Sequence, residues 1–128
     1  MQSMMLEHDS NRILVVEDDD EMRDLLVDYL GSSGFETAGA SSVPEAQERL
    51  AGRRYDLVVS DLSLPGKSGL TLLRELLNQR ERPKVIIITA FGDWRTYVDA
   101  MSMGASEYMS KPFRMEDLVQ KIRTTLAA

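Results

Sequence analysis

The six residues RILVVE, residues 12–17, form the first regular stretch of the chain. Isoleucine, leucine and two valines follow one another without polar alternation, and the run is too short for a helix. Such a run is typical of a strand that is buried on both faces, as in a parallel sheet covered by helices. We therefore expect the fold to begin with a buried strand whose last residue, Glu17, reaches the edge of a sheet.

Beginning with this strand, strand patterns and helix patterns alternate along the chain, and there are five of each. Apolar residues at helical spacing follow within 21–33 and end before Gly34. They are Met22, Leu25, Leu26, Tyr29 and Leu30. Further strands are predicted at 35–40, 55–61, 84–90 and 107–110, each followed by a helical pattern. Ser42 and Glu45 have the spacing of a capping box at the start of the second helix. Five such units predict an α/β fold with parallel strands, right-handed crossovers and helices on both faces of the sheet.

The length and the rare residue types limit what the protein can be. At 128 residues and 14.4 kDa the chain has room for one domain, which we place at residues 12–127, after a flexible N-terminal segment at 1–11. The absence of cysteine excludes disulfides, zinc ribbons and thiol catalysis. A single histidine, His8, argues against serine–histidine triads and multi-histidine metal sites.

The charge and hydropathy patterns bear on partners and location. A net charge of −6 and a pI near 4.8 would repel a phosphate backbone, so we expect no direct binding of nucleic acid. No apolar run approaches the roughly 18 residues of a membrane span, and the first residues lack the apolar core of a signal peptide. These patterns predict no membrane association and a cytoplasmic location.

Charged and polar side chains follow the predicted strands at the points where they end. Glu17 and Asp18 follow the first strand, Asp61 ends the third, Thr89 lies at the end of the fourth and Lys111 follows the fifth. Carboxyl ends of parallel strands share one edge of a sheet. Two carboxylates ~4 Å apart repel by about 4 kcal/mol at an effective dielectric constant near 20, so the cluster needs a cation. Oxygen ligands suit Mg²⁺, which keeps positions for water and a phosphoryl oxygen.

Four segments in order resemble the motifs of two-component response-regulator receiver domains. They are ILVVEDD, DLSLPGKSG, IIITA and GASEYMSKPF, and the resemblance covers residues 12–126. The resemblance implies a flavodoxin-like, doubly wound sheet of five parallel strands in the order 2-1-3-4-5, with five helices. It places the first and third strands side by side.

The resemblance also implies a metal site and a phosphoacceptor. Asp61 matches the aspartate that is phosphorylated. Asp18 matches the acid that binds Mg²⁺ together with Asp61 and the backbone carbonyl of Ser63. Glu17 matches the partner acid, which usually acts through a metal-bound water and is more often an aspartate.

Three further positions match residues that act on the phosphoryl group or respond to it. Lys111 matches the lysine that pairs with a phosphoryl oxygen, and a cis bond to Pro112 is implied with it. Thr89 matches the hydroxyl that moves to a second oxygen, and Tyr108 the aromatic switch that turns inward behind it. One departure concerns the last helix, where Arg114 stands at a position often taken by a capping Asp, Ser or Asn.

The function that follows from the resemblance is a phosphorylation-controlled signalling switch. The phosphoryl group would come from a sensor histidine kinase or a phosphotransfer protein, with Mg²⁺ as cofactor. The fourth helix, fifth strand and fifth helix would present the signal to an output domain or a downstream protein, and the same face allows a weak homodimer. Such a domain promotes only its own phosphorylation and dephosphorylation and is not otherwise an enzyme.

Other interpretations of the same residues remain open. Gly66, Lys67 and Ser68 match the end of a phosphate-binding P-loop, which would make the chain a nucleotide binder. Asp61 then stands where that loop requires its first glycine and would direct a negative charge at the phosphates. A flavodoxin relative that binds FMN, or a module that only binds partners, is a third class, and the acidic edge argues against a bound flavin phosphate.

Overall fold

The structure, a computed structural model, describes residues 11–64, 69–90 and 94–128. Its strands are β1 (Arg12–Val16), β2 (Glu36–Ala40), β3 (Leu57–Asp61), β4 (Lys84–Thr89) and β5 (Glu107–Ser110). Its helices are α1 (Asp20–Ser32), α2 (Val43–Gly52), α3 (Gly69–Leu77), α4 (Trp94–Ser102) and α5 (Met115–Ala127). The predicted segment at 1–11 lies almost wholly outside the described residues. Within the described ranges, no helix is long and apolar enough to cross a membrane.

The five strands form one parallel sheet in the order β2-β1-β3-β4-β5, which confirms the predicted fold. The winding reverses between β1 and β3, which pair directly. Val16 lies opposite Ser60 in that pair, so Glu17 and Asp61 emerge next to each other at the carboxyl edge. The predicted convergence of acidic residues at this edge therefore follows from the strand register.

Two apolar layers cover the sheet, one on each face. One layer joins alternate strand residues, including Leu14, Val58 and Ile87, to side chains of α2, α3 and α4. The other joins Ile13, Val59, Ile86 and their neighbours to α1 and α5. Every residue of β3 is buried, which explains why residues 57–59 form a continuous apolar run rather than an alternating pattern.

Helix α1 buries a narrower face than its apolar spacing suggests. Leu26 and Leu30 are fully buried, whereas Leu25 is 53% exposed and Tyr29 is 37% exposed. Leu25 and Leu26 are adjacent and therefore about 100° apart around the helix, so both cannot face the sheet. The predicted apolar stripe thus includes two residues that face outward.

The starts of α2 and α5 match the capping patterns in the sequence with one difference. Ser42 Oγ accepts a hydrogen bond from Glu45 N at 3.3 Å, as predicted for a capping box. The Glu45 carboxylate accepts from the backbone N and hydroxyl of Ser41, one residue earlier than the box requires. These bonds, the one from Ser41 N first, lower the pKa of Glu45. At α5, Arg114 makes no side-chain cap, as expected.

Gly69 lets α3 begin directly against the end of β3. A Cβ at this position would lie 2.3 Å from the Asp61 carbonyl oxygen and 3.0 Å from the Leu62 Cα. We expect Gly69→Ala to lower the free energy of unfolding by about 2 kcal/mol, because backbone atoms would have to move. Urea unfolding measures this change. Gly52→Ala is the control because, apart from its chain neighbours and its own helix backbone, no atom of the described residues lies within 4 Å of its Cβ position. Equal stabilities of the two variants would contradict the steric argument.

Candidate functional site

Three carboxylates meet at the carboxyl edge of β1 and β3. One oxygen from each of Glu17, Asp18 and Asp61 lies within 4.8 Å of the others. Glu17 and Asp61 are only 1% and 5% exposed, whereas Asp18 is exposed to solvent. The structure therefore brings together the three acids that the sequence placed at the strand ends, two of them in the interior and one at the rim.

Lys111 supplies the positive charge inside this cluster. Its Nζ donates hydrogen bonds to Glu17 Oε1 at 2.6 Å and to Asp61 Oδ2 at 2.7 Å. The backbone N of Lys111 donates to the Thr89 carbonyl oxygen at 2.9 Å, which ties the residue after β5 to the end of β4. The bond from Lys111 to Pro112 is cis, as expected. The sequence placed Lys111 at the site but did not predict its direct contact with Glu17.

The ionisation of the cluster follows from burial and from these hydrogen bonds. Burial raises the pKa of Glu17, and the hydrogen bond from Lys111 opposes that rise only in part. Burial also disfavours the charged form of Lys111, but its hydrogen bonds to Asp61 and Glu17 outweigh this effect and leave its pKa raised. Lys111 is therefore cationic at neutral pH, and its ammonium group pairs with two of the three clustered acids.

Backbone groups near the strand ends hold the acids in place. Ser63 N donates to Asp61 Oδ1 at 2.8 Å, so each carboxylate oxygen of Asp61 accepts one hydrogen bond. Asp19 N donates to Glu17 Oε2 at 3.2 Å, and Asp19 Oδ1 accepts from Met22 N as the cap of α1. Asp19 thus caps α1 and is not one of the three clustered acids.

Thr89 and Tyr108, the two predicted switch residues, lie on neighbouring strands. Thr89 ends β4 and is 1% exposed. Tyr108 lies on β5 with its hydroxyl 3.1 Å from Thr96 Oγ1. Its ring makes a T-shaped contact with the ring of Tyr97 at a centroid distance of 5.4 Å, and Tyr97 in turn stacks on Trp94. Tyr108 therefore contacts α4 rather than the acidic cluster in this conformation.

The donor set of the cluster suits a hard divalent cation. Carboxylate oxygens are the ligands that Mg²⁺ prefers, and one or two of them leave positions for water and a phosphoryl oxygen. Asp18 is the member of the cluster that is exposed to solvent. The P-loop alternative depends on Gly66, Lys67 and Ser68, which lie outside the described residues.

The comparison with protein families agrees with this geometry. A family model for the response regulator receiver domain matches residues 13–123. The chain belongs to the response regulator receiver domain family. Receiver domains are phosphorylation-controlled switches of two-component signalling, and response regulators work with histidine kinases and output domains. The resemblance stated from the sequence is confirmed.

Curated relatives of this receiver domain are longer proteins. The two-component response regulator PhoP of Pseudomonas aeruginosa is 38% identical over 115 residues, which are 90% of this chain and 51% of PhoP. The transcriptional regulatory protein AruR of the same organism is 37% identical over 120 residues, covering 90% of this chain and 49% of AruR. The chain thus spans about half the length of these two relatives.

Solved structures share the fold. A CheY-like receiver domain protein from Methanospirillum hungatei has a TM-score of 0.88 and 29% identity, covering 92% of this chain and 94% of that one. The response regulator TrrA from Thermotoga maritima, solved in complex with Mg²⁺ and BeF, has a TM-score of 0.80 and 33% identity. That match covers 90% of this chain and 98% of TrrA. TrrA is thus a relative whose structure contains Mg²⁺, and this chain has three acids close enough together to hold a metal ion.

Proposed function

We propose that residues 12–127 form a receiver domain in which Asp61 accepts a phosphoryl group in a Mg²⁺-dependent reaction. The observation that carries this proposal is the position of Asp61. It is 5% exposed at the end of the central strand, hydrogen-bonded by Lys111 and Ser63, and clustered with Glu17 and Asp18. A carboxylate tethered among a lysine and two further acids suits phosphoryl transfer, which depends on positioning and charge neutralisation.

The residues of the site divide the chemistry among them. An Asp61 oxygen attacks the phosphorus of a phosphohistidine or a small phosphodonor, and the bond from phosphorus to the leaving group breaks. The leaving group departs with the electron pair of that bond and takes up a proton. Lys111 exchanges its hydrogen bond to Asp61 for one to an oxygen of the incoming phosphoryl group.

A Mg²⁺ ion would be held by Asp18, Asp61 and the backbone carbonyl of Ser63, with Glu17 acting through a water molecule. The chemistry that Mg²⁺ supplies when bound is neutralisation of the negative charge on the phosphoryl oxygens. The direct hydrogen bond from Lys111 fixes the Glu17 carboxylate in the cluster. The clustering of three acids, two of which accept hydrogen bonds from Lys111, supports this assignment.

The signal is proposed to leave the site through Thr89 and Tyr108. The Thr89 hydroxyl moves toward the phosphoryl group, and Tyr108 turns inward into the space behind it. Tyr108 then gives up its contacts with Thr96 and Tyr97, so the surface of α4, β5 and α5 changes. A two-state surface of this kind is read by a partner that binds one state better than the other.

The partners belong to the same proposal. A sensor histidine kinase or a phosphotransfer protein supplies the phosphoryl group in the cytoplasm, and an output domain or a downstream protein reads the surface of α4, β5 and α5. A weak homodimer through that surface is one form of readout. The domain acts on no substrate other than its own aspartyl phosphate and does not itself bind nucleic acid or membranes.

Intact-mass measurement tests the function. The protein is incubated with phosphoramidate or acetyl phosphate, once with Mg²⁺ and once with EDTA. We expect one phosphoryl group to be added with Mg²⁺ and almost none with EDTA. Tight ATP binding that is lost in Lys67→Ala, with no phosphoryl group added, would instead favour the P-loop alternative.

A further inference from the structure

Arg23 of α1 joins the segment that carries two of the proposed metal-site acids. Its Nη1 donates to the Glu17 carbonyl oxygen at 2.8 Å, and its Nη2 donates to Asp20 Oδ1 at 2.6 Å. Its backbone N donates to the Asp19 carbonyl oxygen at 2.9 Å. We call residues 17–20 the acid turn, and Arg23 contacts three of its four residues.

The stem of Arg23 lies in a space that Gly39 of β2 leaves open. A Cβ at position 39 would lie 3.1 Å from Arg23 Cδ and 3.2 Å from Arg23 Cγ. Glu17 N donates to the Ala40 carbonyl oxygen at 2.9 Å, so the acid turn starts beside the end of β2. The Arg23 side chain, 19% exposed, therefore runs across the end of β2 and reaches the acid turn in a fixed direction.

Asp18 depends on the backbone of the acid turn for its position. Its side chain is exposed, and it makes no side-chain hydrogen bond within the described ranges. Contacts on both sides of it hold the backbone, because Arg23 bonds the Glu17 carbonyl and Asp19 caps α1. The direction of the Asp18 carboxylate thus follows from its neighbours.

We propose that Arg23 is a positioning residue that fixes the acid turn, so that Asp18 and Glu17 are oriented for Mg²⁺. This inference rests on the proposed function. Hydrogen bonds that orient metal ligands typically change metal affinity by about 10–100-fold when they are removed. Charge alone gives the opposite expectation, since loss of a cation near the acids strengthens their attraction for Mg²⁺.

Two substitutions separate orientation from charge. Arg23→Lys keeps the positive charge but loses the planar pair of donors, and Arg23→Met keeps an apolar stem without charge. We expect both to weaken Mg²⁺ binding by about ten-fold, measured by calorimetry with MgCl₂. The Mg²⁺ concentration that gives half of the maximal phosphorylation rate should rise by the same factor. The rate at saturating Mg²⁺ should change much less, whereas a general loss of folding would lower it.

Arg49 provides the matched control. It also lies beside β2, donating to the Gly39 carbonyl oxygen at 3.0 Å and pairing with Glu45 at 3.6 Å, but it does not contact the acid turn. Arg49→Lys and Arg49→Met should bind Mg²⁺ as the wild type does. Gly39→Ala is an independent test, because it displaces the Arg23 stem and leaves the guanidinium group intact, and it should weaken Mg²⁺ binding in the same direction.

The outcomes distinguish this inference from the function on which it rests. A wild-type protein that binds no Mg²⁺ and accepts no phosphoryl group would overturn the proposed function. If the wild type binds Mg²⁺ and the Arg23 variants bind it equally well, Arg23 does not position the acid turn. Tighter binding in Arg23→Met with wild-type binding in Arg23→Lys would show an effect of charge alone and would also reject the inference.

Discussion

Asp61→Asn should take up no phosphoryl group from phosphoramidate under conditions that label the wild type fully. The amide is a poor nucleophile, and the substitution keeps the size of the side chain and its contact with Ser63. The acylphosphate of the wild type should be released by hydroxylamine, as expected for a phosphoryl group on a carboxylate. Intact mass before and after hydroxylamine measures both effects.

Asp56→Asn is the control for this prediction. Asp56 lies just before β3, at the opposite end of the strand from Asp61, and its carboxylate accepts a hydrogen bond from Arg12 N at 2.8 Å. Its loss should leave the extent of phosphorylation unchanged. A stable phosphoryl group on Asp61→Asn, added at the wild-type rate, would mean that another residue is the acceptor.

Lys111→Met should lower the free energy of unfolding by about 3 kcal/mol in EDTA. Removal of one partner from a buried ion pair leaves an uncompensated charge, and such changes commonly cost about 3–5 kcal/mol. The Lys111 side chain is 17% exposed, so we place the effect at the lower end. Urea unfolding measures it. Lys121→Met is the control, because Lys121 pairs with Glu107 at 3.4 Å and both side chains are about 40% exposed. This substitution should change the free energy of unfolding by less than about 1 kcal/mol.

The loss in free energy of unfolding caused by Lys111→Met should become smaller as the pH falls from 7 toward about 5. Burial raises the pKa of Glu17 above its ordinary value, and loss of the Lys111 hydrogen bond, which lowers it, would raise it further. A carboxyl group with a raised pKa binds its proton more tightly in the folded state, so its stabilising contribution is present at low pH and is lost as the pH rises through the folded pKa. If the difference in free energy of unfolding between wild type and Lys111→Met stays constant between these pH values, protonation of Glu17 does not contribute to it.

The sheet and the membership of the acidic cluster follow from local patterns in the sequence. Continuous apolar runs identify buried parallel strands, and residues that follow them must share an edge because the strands are parallel. These two patterns predict from the sequence alone that Glu17, Asp61 and Lys111 lie close together. The strand order itself came from the resemblance to receiver domains, since several orders satisfy the same alternation of strands and helices.

Contacts between side chains of distant elements could not be predicted from the sequence. The pairing of Lys111 with Glu17 depends on how far each side chain reaches across the edge, which the residue types alone do not give. The contact of Arg23 with the Glu17 carbonyl depends on the free space at Gly39, which only the packing of α1 on β2 reveals. The exposure of Leu25 depends on the rotation of α1 about its axis.

The strand positions divide the site into parts that open at different free energies. Asp61 ends β3, which has a neighbouring strand on each side and is wholly buried. The backbone amide hydrogens of β3 should therefore exchange with solvent only when the whole domain unfolds. Lys111 follows β5, a four-residue strand at the edge of the sheet with one neighbour. Opening of this edge alone would remove the ammonium group while the acceptor carboxylate stays in place. On warming, the domain should thus lose its charge compensation before it loses its nucleophile.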